Sequence, residues 1–403
     1  MADRAFDVIV VGGGAAGLVA SIAAKKNGAK TALIEKNIRV GKKILATGNG
    51  RCNLSNTCIG EPRGASQYNN PSFVKPILER MSCEGIRSVF NDLGLLTITD
   101  KSGWVFPRTR TANTVVDVLM EEIERLDIPV YTGEEAIGIR SSEDGFRVET
   151  SMTGYSCRSL VLTCGVQPIL RSFDYLRFIE PAPILGPLKT DTNPIRGLDG
   201  IRVVSRILLT DGVDLLSWQD GELLFRDYGV SGIAVFNLSR FAKPGHKLYI
   251  DFFPEMDENE LKSLLSDRME RFQGNLSLAE LLSGMLHSRV IHAIVRKANL
   301  KLSDKMDDAV LTALVFYLKA FSIDVLETPA KGQAQVTRGG LDTADFNPET
   351  LSAYRKQNLF AAGESLDIDG PCGGFNLHWA WASGLTAGAN AALTSRNQRE
   401  RLG

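Results

Sequence analysis

Near the start of the chain the spacing of apolar residues changes twice within thirty positions. Phe6–Val11 is a β-branched apolar run broken only by Asp7, the pattern of a central parallel strand buried on both faces. It runs into Gly12-Gly13-Gly14-Ala15-Ala16-Gly17, after which Ala15 to Asn27 reads as a helix stopped by Gly28. Thr31–Glu35 is a second strand that ends on an acid. From Tyr131 to Cys164 the alternation is that of short strands, with turn signals at Glu143-Asp144-Gly145 and Met152-Thr153-Gly154. Leu160–Gly165 is a further buried strand ending in a glycine turn. Prolines 168, 181, 183, 187 and 194 then give residues 166–200 the composition of a boundary.

Short strands resume from Ile201 to Phe253. Residues 255–325 switch to helical periodicity, with capping boxes at Asp257-x-x-Glu260 and Ser277-x-x-Glu280. The stripe of Leu278, Leu281, Leu282, Leu311, Leu314, Val315 and Leu318 reads as core. Leu359–Glu364 is again a strand running into a glycine turn. A last helix is expected to start near Asn376, with Asn376 as its N-cap. Ala380, Gly384 and Gly388 recur every fourth residue and give that helix one face thin enough for close backbone packing. The fold class is therefore α/β: a Rossmann-like domain that opens and closes the chain around an inserted β-rich, barrel-like part and a small helical part. The expected divisions are 1–190, 191–255, 256–330 and 331–403.

Length and charge narrow the function. At 403 residues the chain is too long for one compact core. Lys+Arg 46 against Asp+Glu 47 leaves a net charge of −1, without the basic field that nucleic acid or an anionic membrane requires. Neither is expected as a partner; a small-molecule substrate is, and nothing in the chain sets an oligomeric state. The six cysteines form no CxxC and match no zinc corner, so no metal is expected and a reducing cytoplasm is. Val8–Ala24 lacks the basic flank of a signal and the bulk of a membrane span.

The glycine turn carries the first chemistry. Gly12 permits the tight turn, Gly14 lets a pyrophosphate approach the backbone, and Gly17 lets the helix lie close on the sheet. The amides of the helix start bind the anion, and Glu35 is placed to accept hydrogen bonds from an adenosine ribose. This site does not distinguish FAD from NAD. A second helix start near Asn376 does, because it suits the pyrimidine end of a flavin, where reduction places negative charge. Between them Thr47–Asn56, TGNGRCNLSN, is a glycine–asparagine loop with one arginine and one thiol. Cys52 and Cys58 are separated by five residues with no long strand or helix to present them, which disfavours a redox dithiol.

The motifs VGGGAAG, GKKILATGNGRCNLSN, VTRGG and GESLDIDGPCGGFNLHWAWASG together resemble a bacterial family of NAD(P)/FAD-dependent oxidoreductases that includes aminoacetone oxidase and a reductase of unsaturated 3-oxo bile acids. The resemblance covers nearly the whole chain. It implies FAD contacts from Gly12, Gly14, Ala15, Ala16, Gly17, Glu35 and Lys36, then Lys43, Thr47, Gly48, Asn49, Arg51, Cys52 and Asn53. Ala136 would offer backbone to the adenine. Gly165, Gly363, Glu364, Asp369, Gly373, Gly374, Asn376 and Leu377 complete the implied set. Three features depart from the family: a short passage between Gly165 and Pro181, Arg226-Asp227 where Thr-His is usual, and His378 where glutamine is common.

The expected activity is FAD-dependent oxidoreduction of a small or mid-sized organic molecule by hydride transfer at flavin N5. Reduction of a conjugated ketone is favoured, with NADH or NADPH as a transient donor because no second GxGxxG follows a strand. The alternatives are oxidation of an amine such as aminoacetone, or a non-catalytic redox-sensing flavoprotein. Asp227, Tyr228 and His378 are the substrate-side candidates for proton transfer.

Overall fold

The computed structural model describes residues 4–61, 63–142, 144–273, 275–304 and 307–402. Of the turn expected at 143–145, Glu143 lies outside the described residues. The chain divides into two compact units, 1–182 with 337–403 and 183–336. These lines differ from those expected at 190 and 330.

The first unit is built on a seven-stranded sheet. Its centre is Arg4–Val11, flanked in parallel by Thr31–Glu35 on one side and Gly154–Leu162 on the other. Val130–Thr132 extends one edge in parallel, and Leu359–Ala361 joins the far half of Gly154–Leu162. The antiparallel strands Ala136–Ser142 and Gly145–Thr150 complete the sheet. Val8, Ile9 and Val10 are wholly buried, as the unbroken apolar run requires. The first helix, Ala15–Lys26, and the terminal helix, Phe375–Leu402, pack on this sheet. Three more helices, Pro71–Arg80, Cys83–Asp92 and Ala112–Arg125, fill a stretch for which the apolar spacing had suggested no element.

Contact between the first and terminal helices depends on missing side chains. A Cβ at Gly384 would stand 2.3 Å from the Ala16 carbonyl oxygen, and one at Gly388 would stand 2.1 Å from that of Ala20. Successive positions on one helix meet successive positions on the other, so the two run parallel. Phe375 precedes Gly384 by nine residues, which sets the start of the terminal helix about 14 Å ahead of Ala16 along the shared direction.

The second unit is a closed six-stranded antiparallel barrel with helices. Its strands are Leu188–Thr190, Arg202–Thr210, Leu215–Arg226, Gly229–Ser231, Lys247–Asp251 and Phe321–Glu327. The first and last lie outside the 191–255 stretch expected to hold the β-rich part. Both expected capping boxes form, at Asp257/Glu260 and Ser277/Glu280. Barrel and helices share one core, in which Leu281, Leu314 and Leu318 are wholly buried beside Ile207, Leu248 and Ile323. No described helix is long and apolar enough to cross a membrane.

Alanine at Gly388 tests the helix contact. Helix propensity alone would favour it by about 1 kcal/mol. The clash with Ala20 costs about 1–3 kcal/mol and should win, lowering the thermal midpoint. An unchanged or raised midpoint would mean that the helices do not touch here.

Candidate functional site

The three glycines of the first turn have separate geometric tasks. Gly12 sits at φ +108°, where its missing Cβ would lie 2.6 Å from Cys164 Cα. Gly17 lets the helix close on the turn, since a Cβ there would fall 1.8 Å from the Gly12 carbonyl oxygen. At Gly14 a Cβ would meet nothing within 4 Å, so open space lies in front of the backbone at the helix start. The Thr163 hydroxyl donates to the Val11 and Gly12 carbonyls, both at 2.9 Å, and ties the turn to the next strand. Gly14 caps the first helix without a side-chain bond, and no acid lies in the first turn. The helix start therefore presents backbone N–H groups and a positive dipole end to that space, the chemistry a pyrophosphate needs.

Glu35 ends its strand beside this turn and is buried. One carboxylate oxygen accepts from the Gly13 N–H at 2.6 Å; the other accepts from the Asn37 backbone N–H at 2.8 Å. Lys36 Nζ donates to Gln167 Oε1 at 2.7 Å, which draws the loop after Gly165 toward the same corner. Ala136 opens its strand opposite Thr150. Lys43 pairs with Glu364, and Gly165 lies against that same carboxylate. Residues from three parts of the chain thus meet at the ends of the parallel strands, where ligands of open α/β sheets bind.

The loop Thr47–Asn56 is shaped by backbone in the left-handed region at Gly48, Asn49, Gly50 and Cys52. Thr47 Oγ1 donates to the Ile44 carbonyl at 2.7 Å. Arg51 Nε donates to the Gly48 carbonyl at 3.1 Å, and its guanidinium lies over the Phe106 ring at 5.4 Å. Cys52 is wholly buried, and burial pushes its thiol up to about 12, which makes it a packed group without thiolate chemistry. Cys58 is exposed.

Asn53 and Asn56 bind protein. With its amide oriented to suit its neighbours, Asn53 donates to the Ser55 and Val105 carbonyls and accepts from the Gly374 N–H. Asn56 Nδ2 donates to the Gly373 carbonyl at 2.9 Å. The loop is thereby locked to the turn that precedes the terminal helix. Gly373 and Gly374 have positive φ, and a Cβ at Gly374 would lie 2.3 Å from the Ser55 carbonyl oxygen. Gly363, also at positive φ, sits against Ala16, and Trp379 Nε1 donates to its carbonyl at 3.3 Å. Leu377 is half-buried on the core.

Two expectations about the terminal helix are corrected here. The helix begins at Phe375, so Asn376 lies within its first turn and is not the N-cap. Its side chain reaches back instead, donating to the Gly370 carbonyl at 2.8 Å and accepting from the Gly370 N–H at 2.9 Å. His378 is wholly buried, with Nδ1 2.8 Å from Ser55 Oγ and Nε2 2.9 Å from the Met81 carbonyl. A carbonyl only accepts, so Nε2 carries the proton and Nδ1 accepts from the serine. Burial holds the ring at about 4, far below an ordinary imidazole. Both ring nitrogens are therefore bonded within the protein, joining the loop to the helix, and the expected proton-transfer role finds no exposed ring atom.

Apolar spacing gave no sign of the Arg338–Asp369 pair. Asp369 has no exposed surface, and Arg338 Nε and Nη2 donate to its two oxygens at 2.8 and 3.1 Å. The VTRGG motif was the available signal. Asp227 and Tyr228 lie in the turn between two barrel strands of the second unit, where Asp199 accepts from the Asp227 N–H at 3.2 Å.

Burial of neutral His378 makes stability depend on pH. Above about pH 6.5 both folded and unfolded chains hold it neutral, and its full contribution is present. Below that the unfolded chain takes up a proton that the folded chain refuses until about pH 4, which costs up to about 3 kcal/mol. Glutamine at 378 can bond both partners without titrating. Thermal midpoints of His378→Gln should fall less steeply than those of the parent between pH 6.5 and 4; equal slopes would contradict this assignment.

Comparison with known proteins places these features in a family. The model of the HI0933-like protein Rossmann domain matches residues 6–173 and 188–390. The chain is 30% identical to the 3-dehydro-bile acid delta(4,6)-reductase of Clostridium scindens, over 95% of this chain and 98% of that protein. It is 29% identical to the ribosomal RNA dihydrouridine synthase of Escherichia coli, over 94% and 96%. The 3-ketosteroid delta1-dehydrogenase of Sterolibacterium denitrificans shares the fold, at 13% identity and a TM-score of 0.50 over 97% of this chain and 100% of that one. Open space at Gly14, two parallel helix starts and a glycine-lined loop between them fit a long dinucleotide with an anionic middle and a polar ring end. The chain belongs to the HI0933-like Rossmann family and is an FAD-dependent oxidoreductase.

Proposed function

We propose that this enzyme saturates a carbon–carbon double bond conjugated to a carbonyl group. The supporting observation is that two nearly full-length relatives carry names for the same reaction on unlike molecules. A delta(4,6)-reductase of a 3-dehydro bile acid removes double bonds conjugated to a 3-oxo group. A dihydrouridine synthase saturates the uracil double bond next to its carbonyl. The shared element is an electron-poor alkene that accepts hydride at one carbon and a proton at the other.

FAD, when bound, supplies the hydride. The residues proposed to hold it are those of the glycine turn and Glu35 at the adenosine and pyrophosphate end. The Thr47–Asn53 loop, the Lys43–Glu364 pair and the Gly373–Leu377 helix start would serve the ring end. Arg51 adds a fixed positive charge to this cradle, and the start of the terminal helix favours negative charge on the adjoining ring. His378 is not assigned proton delivery, because it is buried with both ring nitrogens bonded within the protein.

A small, mostly apolar enone is the first choice of substrate, because the chain has a net charge of −1 and no long basic run. A uridine in RNA is the second reading, supported by the relatives from Escherichia coli and Haemophilus influenzae, the latter 25% identical over 93% of this chain.

Anaerobic enzyme whose flavin has been reduced with dithionite should be reoxidised by a 3-oxo-Δ4 steroid and not by its saturated ketone. Reoxidation by uridine-containing ribosomal RNA alone would select the second reading. Reoxidation by neither would overturn the proposal.

A further inference from the structure

We infer that Arg110 and Arg51, which share the Phe106 ring, form with Arg108 of the same turn a docking point for the 2′-phosphate of NADPH at the rim of the flavin loop. This deepens the reductase reading and rests on it, since it names the electron donor.

The strand Trp104–Pro107 pairs with Ser55–Asn56, so the turn that follows it is fixed to the end of the flavin loop. Phe106 in that strand is 1% exposed. The guanidinium groups of Arg51 and Arg110 each lie over its ring, both 5.4 Å from the centroid. A buried aromatic ring thus anchors two exposed cations from separate segments of the chain. Arg110 adopts φ +52°, an uncommon conformation for a side chain of its size, maintained as its N–H donates to the Pro107 carbonyl at 2.8 Å. The Arg108 N–H donates to the Leu96 carbonyl, also at 2.8 Å, and its side chain is exposed.

These cations are not neutralised. Nearby Lys43 and Arg87 have carboxylate partners, but among the described residues none lies within 4.0 Å of Arg51, Arg108 or Arg110. No acid lies in the first turn of the helix Ala112–Arg125 that follows. Arginine presents a planar fork of N–H donors that matches phosphate oxygens, and two or three together suit one dianion. The group is too small for a nucleic-acid backbone, whose binding needs a row of such contacts. A donor also needs some such contact, because the chain has no second dinucleotide-binding turn. In the step it serves, hydride leaves the nicotinamide for the flavin and NADPH departs as NADP+.

The test is anaerobic stopped-flow reduction of the FAD-bound enzyme by NADPH and by NADH, across donor concentration. The parent should be half-saturated by NADPH at a concentration at least about tenfold lower than by NADH. Arg108→Ala and Arg110→Ala should each raise the NADPH value about tenfold and leave the NADH value and both limiting rates unchanged. Arg110→Lys, which keeps the charge and loses the fork, should fall between and guards against a variant that folds poorly. Adenosine 2′,5′-bisphosphate should compete with NADPH in the parent and not in the double alanine variant. Equal use of the two donors, or an oligoribonucleotide that competes more strongly than the bisphosphate, would overturn the docking point. If neither donor reduces the flavin while dithionite-reduced enzyme still reduces an enone, the docking point fails and the reductase reading stands. Failure of the dithionite-reduced enzyme removes both.

Discussion

The flavin unit depends on one backbone contact, the close parallel approach of its first and terminal helices. Gly384 and Gly388 face the carbonyls of Ala16 and Ala20 with no room for a Cβ on either glycine. That contact fixes the separation, direction and offset of two helices whose sequences lie more than three hundred residues apart. Two positive dipole ends consequently point the same way at different heights. One long cofactor can meet both, where a single helix start would hold only its pyrophosphate.

A second layer of contacts keeps the ring end in place. The Thr47–Asn56 loop is spanned by no helix or long strand, yet it is anchored on both sides by side chains. Asn53 and Asn56 hold Gly374 and Gly373, while Ser55 bonds His378. His378 in turn bonds the Met81 carbonyl ahead of the next helix. The ion pair of Arg338 with buried Asp369 secures the turn between them. A buried pair of this kind adds little net stability against an apolar alternative, but loss of one partner would strand a charge. Its contribution here is to position Gly370–Gly374, from which the terminal helix starts.

Much of this was legible in the sequence because it is local or periodic. A buried strand, a glycine turn and a helix announce themselves within twenty residues, and each glycine's task follows from the turn it occupies. The thin face of the terminal helix was legible from a spacing of four, and both capping boxes from a spacing of three. Less legible were the bonds that polar side chains make within the protein. Asn53, Asn376 and His378 are expected at the cofactor or substrate, and each also bonds backbone or a side chain elsewhere in the chain. Partners separated by three hundred residues leave no periodic trace. Nor did apolar spacing reveal that the barrel closes with Phe321–Glu327, a strand that follows four helices.

The central claim is that FAD is held at two ends by two helix starts. Calorimetric titration of FAD-stripped protein with FAD, FMN and ADP tests it most directly. If both ends are held, FAD should bind at least about a hundredfold more tightly than either fragment, because each half then anchors the other. Binding of FAD no tighter than that of ADP would contradict the account.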